Sequence, residues 1–69
     1  MNQINTLNKG DIFFIPQYME NWEYVSEGVF ENGKPYLNFN IVGGNNIGGE
    51  ISHYHKDEFL KLNPQLNNR

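Results

Sequence analysis

The chain is 69 residues long, carries a formal charge of −3 and contains no cysteine. That length makes one small domain, which buries only about 60% of its unfolded surface and stands near the limit of independent folding. Disulfides and thiolate metal sites are excluded as supports, so stability rests on five Phe, four Tyr and one Trp. The five Lys and Arg form no basic stripe of the kind that grips a phosphate backbone, which disfavours direct nucleic-acid binding. No apolar run approaches the ~20 residues that cross a bilayer, and the opening "MNQINTLNKGD" is too polar for a signal peptide. The expectation is a soluble, cytoplasmic, single-domain protein over 1–69, with 1–8 and 65–69 loosely ordered.

In chain order, "KGDIFFIP" reads as a strand from Asp11 to Ile15, entered through a Gly-Asp turn and stopped by Pro16. Its four consecutive apolar residues predict burial on both sides, or a twisted position between sheets. Residues 17–27 admit two readings. Pro16 suits a helix start, Gly28 a cap, and Tyr18, Trp22 and Val25 lie near helical spacing. A strand over the same stretch is preferred, because it explains both halves of a hairpin at once.

That hairpin is "WEYVSEGVFENGKPYLNFNIV", with Asn32-Gly33 as a two-residue type I′ turn. Folded about it, Glu31 faces Lys34, Phe30 faces Pro35, Gly28 faces Leu37, Ser26 faces Phe39 and Tyr24 faces Ile41. One face then collects Trp22, Tyr24, Phe30, Leu37, Phe39 and Ile41. The other carries Glu23, Glu27, Glu31, Lys34, Asn38 and Asn40, with Val25, Val29, Tyr36 and Val42 among them. Pro35 falls at a non-hydrogen-bonded position and marks its outer side as an edge. Beyond the hairpin, "EISHY" is a short strand. "KDEFLKLNP" offers one or two helical turns, with Phe59, Leu62 and Leu66 on one face and Pro64 past the end.

Between hairpin and final strand lies "VGGNNIGGE", Val42 to Glu50. A phosphate loop needs Lys and Ser/Thr after its second glycine. Here Gly49 and Glu50 follow Gly48, and no long helix comes after, so the stretch reads as a turn rich in residues that tolerate positive φ. Ile47 is its odd member and a candidate anchor pinning the loop to the body. His53 and His55 alternate on the last strand and could share a metal, but they need a third ligand, for which Glu50 and Asp57 are nearest. Ser26 and Ser52 lack any nucleophile motif, and so small a domain leaves little room for the cleft that carboxylate acid–base chemistry requires. The reading is non-enzymatic, with no cofactor, no metal and no small-molecule substrate. Glu23, Glu27, Glu31 and Tyr36 are the candidate partner-binding residues, a carboxylate ring around an aromatic and aliphatic patch suited to a basic protein.

The layout from "KGDIFFIP" through the long hairpin to "ISHYHKDEFLKL" resembles that of small SH3-like β-barrels. The resemblance implies a mainly β fold, a small barrel or curled antiparallel sheet with a central long hairpin and a short C-terminal helix. No proline-peptide groove carries over. In size and acidic, cysteine-free character the chain is similar to short inhibitors encoded by phages and mobile elements, including anti-CRISPR-type proteins. That likeness implies steric blocking of a basic surface on a host nucleic-acid-handling complex. The alternatives are a nucleic-acid-binding barrel stacking bases on Tyr18, Trp22 and Tyr36, and a homo-oligomeric subunit of a phage assembly. A homodimer through an exposed edge is compatible with the marginal length.

Overall fold

The structure, a computed structural model, describes residues 7–62. Leu66, Pro64 and the stretches 1–6 and 65–69 lie outside the described residues. Four strands precede one helix: β1 (Ile12–Ile15), β2 (Glu20–Val29), β3 (Pro35–Gly43), β4 (Glu50–His55) and α1 (Lys56–Leu62). The strands form one antiparallel sheet in the order β1-β2-β3-β4. The mainly β class, the central hairpin and the short helix stand as expected. The sheet is open and uncurled, with β1 and β4 at its edges. Among the described residues no helix is long and apolar enough to cross a membrane.

β1 alternates instead of being buried on both sides. Phe13 and Ile15 turn inward, whereas Ile12 and Phe14 are exposed, because only one face of an open antiparallel sheet is covered. Leu7 packs on the core, and Asn8 is fixed in a turn by its N–H donating to Asp11 Oδ2 (3.0 Å), so this end of the expected loose segment is ordered. After β1, Pro16 begins a tight return. The Tyr18 N–H donates to the Ile15 carbonyl (3.1 Å), and Met19 takes a left-handed φ of 56°. The helical alternative for 17–27 is thereby settled as turn and strand: Glu20, Trp22 and Tyr24 all face inward with the two-residue period of a strand.

The hairpin tip differs from the expected two-residue turn. The Gly33 N–H donates to the Phe30 carbonyl (2.9 Å), the Phe30 N–H donates to the Lys34 carbonyl (2.8 Å), and Gly33 has φ +89°. This is a three-residue loop, Glu31-Asn32-Gly33, with glycine at its left-handed position, the next most common hairpin closure after the two-residue one. Asn32 steadies it by accepting the Lys34 N–H (3.0 Å). The extra residue moves every pair near the tip: Val29 faces Pro35, Gly28 faces Tyr36, Glu27 faces Leu37 and Ser26 faces Asn38. A β-bulge at Val25 then shifts the ladder again, giving Tyr24 opposite Phe39 and Trp22 opposite Ile41. Phe30 and Glu27 therefore exchange faces relative to the sequence reading. Pro35 opens an internal strand, one residue before β3 begins to pair with β4 at Tyr36 and His55, so it marks no edge.

The inner face gathers Ile15, Trp22, Tyr24, Leu37, Phe39 and Ile41, and α1 closes it with the fully buried Phe59. The Phe59 ring lies 4.9 Å from Phe39 and meets Phe13 edge-on at 5.3 Å. Asp57 and Glu58 in the first turn and Lys61 in the last match the helix dipole. Truncating a buried Phe to Ala costs about 3–5 kcal/mol, which is all that a core of this size usually supplies. Phe59→Ala is therefore expected to be largely unfolded at room temperature, with loss of the cooperative thermal transition in circular dichroism.

Candidate binding surfaces

The outer face of the sheet has no layer over it among the described residues. At its β1 end, Ile12 is 59% and Phe14 52% exposed, paired across to Glu23 and Asn21. At the hairpin end four rings cluster. Phe30 lies 4.9 Å from Tyr36 and 4.7 Å from His55, and Tyr36 meets His53 edge-on at 4.4 Å. A bulge in β4 builds this cluster: the strand slips between Tyr54 and Ile51, and His53 adopts a left-handed φ of 57°. Asn38 holds the bulge across three strands, its Oδ1 accepting the His53 N–H (2.8 Å) and its Nδ2 donating to Ser26 Oγ (3.0 Å). The Tyr36 phenol covers Gly28 so closely that a Cβ there would stand 2.6 Å from it.

Of the residues expected to meet a partner together, only Glu23 and Tyr36 share the outer face. Glu31 sits in the exposed hairpin loop. Glu27 has crossed to the inner side, where Lys56 approaches to 3.7 Å and the Tyr24 phenol hydrogen-bonds to it. The Val25 bulge is the cause. His53 and His55 do share a face, but they line a ring cluster, and among the described residues no group of three potential ligands forms around them. Trp22 is 1% exposed and Tyr18 rests on it, so of the three proposed base-stacking rings only Tyr36 is on the outer face.

On the inner face, the β1–β2 turn and the glycine-rich loop flank an open depression of about 230 Å³ lined by Tyr18, Glu20, Trp22, Ile41, Asn46, Ile51 and Tyr54. The loop is a turn, as expected: the Gly48 N–H donates to the Ile41 carbonyl (3.0 Å) and the Gly49 N–H to the Asn46 carbonyl (2.9 Å). Ile47 stands 67% exposed at its tip and anchors nothing. Asn46 is the anchor, its Nδ2 donating to Glu20 Oε2, while Trp22 Nε1 donates to Glu20 Oε1 at 2.9 Å. Gly44 permits this approach, with φ +101° and only 2.5 Å between an added Cβ and the Met19 carbonyl oxygen. Glu20 was missed by the sequence reading, although it lies in the same inward row as Trp22 and Tyr24.

Two phenols at the inner face titrate late. Burial raises Tyr54, with the Tyr18 phenol and the Glu58 carboxylate adding to it. Burial also raises Tyr24, and Glu27 adds through its charge and its hydrogen bond. Both neutral phenols are favoured by folding, so their contribution is complete below the ordinary phenol pKa of about 10 and is lost as pH climbs through and beyond it. Thermal midpoints measured from about pH 9 to 11 should fall, and Tyr54→Phe should flatten the decline. At the outer face, Gly28→Ala should push the Tyr36 ring off its place without unfolding the chain, collapsing the ring-current shifts of His53 in proton NMR. Compared with known proteins, the chain matches no family model, no curated protein and no solved structure.

Proposed function

We propose that the chain is a small non-enzymatic protein-binding module that offers its outer sheet face to a partner with a basic surface. The observation that carries this reading is the pair Ile12 and Phe14, both more than half exposed beside Glu23 on an otherwise ordered sheet. Monomers seldom leave large apolar side chains grouped on a flat face unless something lands there. Charge selects the partner: eight acidic residues oppose five basic ones, and Lys56 and Lys61 already lie against Glu27 and Glu58. Lys34 is a cation at the hairpin tip, where its carbonyl accepts the Phe30 N–H. The rigid face suits steric blocking in the cytoplasm, in the manner of a phage- or mobile-element-encoded inhibitor of a nucleic-acid-handling complex, since this needs neither a reacting group nor a moving part. The Tyr36 cluster, with Phe30 and Tyr36 half-buried and His53 and His55 exposed on the outer face, favours a second reading, a stacking platform for single-stranded nucleic acid.

The test compares wild-type chain with the double variant Ile12→Thr, Phe14→Ser for capture of a protein from lysate of the source cells. Both positions are exposed, so folding should persist. One stoichiometric basic partner is expected, held at least about tenfold less tightly by the variant and also weakened by Glu23→Lys. Val29→Thr, at an exposed site on the inner side of the hairpin tip, should bind like wild type. Equal capture by the double variant refutes the face as the interface. Salt-sensitive binding of single-stranded DNA to the wild type, or a homodimer in light scattering with no other partner, would replace this reading.

A further inference from the structure

We propose that the inner-face depression between the Tyr18 turn and the glycine-rich loop is a socket for one guanidinium group, the arginine side chain of the basic partner. The inference rests on the protein-binding reading for the source of that arginine, but the socket is a separate site from the outer sheet face. Its centre is Glu20, a carboxylate only 5% exposed. Both its oxygens accept hydrogen bonds, one from Trp22 Nε1 and one from Asn46 Nδ2. Both donors are neutral, and among the described residues no cation pairs with it. A buried carboxylate normally has a positive partner; its two oxygens answer the two donors, which the single acceptor oxygen of a glutamine would not, but its charge is left without a counterion among the described residues. Each carboxylate oxygen offers about two acceptor positions, so room for further donors remains.

The walls suit a planar cation. Tyr18 stacks nearly parallel to Trp22 at 5.8 Å, and Tyr54 stands edge-on to Trp22 at 5.4 Å. The Tyr18 and Trp22 faces turned to each other are filled, so the face offered to a cation is the half-exposed one of Tyr18, where an aromatic ring presents negative potential. Ile41 and Ile51 supply apolar floor for an aliphatic stem, which arginine lays along such surface. Guanidinium is preferred to ammonium because it is flat, weakly hydrated, stacks on rings and forks onto carboxylates. The backbone around it is tightly set, with Met19 in a left-handed conformation and Gly44 against its carbonyl, whereas the Tyr18 side chain on that turn is half exposed.

The single tryptophan of the chain reports on the socket directly. N-acetyl-arginine amide is titrated into the whole chain while Trp22 fluorescence and its indole N–H resonance are followed. The neutral isostere N-acetyl-citrulline amide serves as control. Saturable change with arginine is expected, at least about tenfold weaker with citrulline, in Glu20→Gln and in Tyr18→Ala. A Gly-Arg-Gly peptide should bind no worse than the amide, and rejection of the peptide would overturn a protein source for the cation. Absence of saturable change in the wild type, equal binding of citrulline, or wild-type affinity in Glu20→Gln overturns the socket. Should Glu20→Gln fail to fold, Tyr18→Ala on its exposed turn decides alone, and unchanged affinity there refutes the proposal. None of these outcomes alters the result for the Ile12/Phe14 variant, so failure of the socket and failure of the sheet-face reading are distinguishable.

Discussion

A single layer of strands has two wet faces until something covers one of them, and in this chain the cover is Phe59. A seven-residue helix cannot hold itself together in water. Its order is borrowed from the sheet through the ring contacts with Phe13 and Phe39. The sheet in turn needs the helix to keep Leu37 and Phe39 dry, so the two are stable only together. This mutual dependence sets which face is inner. Everything assigned to partners follows from the other face, or from the rim where the helix does not reach.

Much of the fold is legible in the sequence, and the part that is not has a definite origin. The hairpin tip holds one more residue than Asn32-Gly33 suggests, and the Val25 bulge adds a second offset in the same sense. Two single offsets restore the alternation, which is why Trp22, Tyr24, Leu37, Phe39 and Ile41 fall in the core as their pattern implies. Between the two offsets the alternation is inverted. Only there do the faces trade, sending Phe30 out to Tyr36 and His55 and bringing Glu27 in beside Tyr24. A bulge leaves no strong mark in a single sequence, because it depends on packing that both strands reach together.

The candidate sites were legible to different degrees for the same reason. The histidine alternation places His53 and His55 on one face, yet their ring partners come from another strand and depend on the inverted segment. Glu20 was hidden by its type: a carboxylate in an inward row looks like the end of the row. Its neighbours explain its tolerance, since Trp22 Nε1 and Asn46 Nδ2 replace water at its oxygens. The loop around Ile47 reads correctly as a turn. What it holds, through Asn46, is set by a contact across 26 positions of chain.

The two rims of the open sheet bear on how copies of the chain behave when crowded. β1 is four residues long and runs directly into Pro16, which has no N–H to give. β4 is broken by the His53 bulge. A strand arriving at either rim finds few consecutive backbone groups in register before the ladder fails. Edge-to-edge extension of the sheet from one copy to the next is therefore self-limiting at both rims.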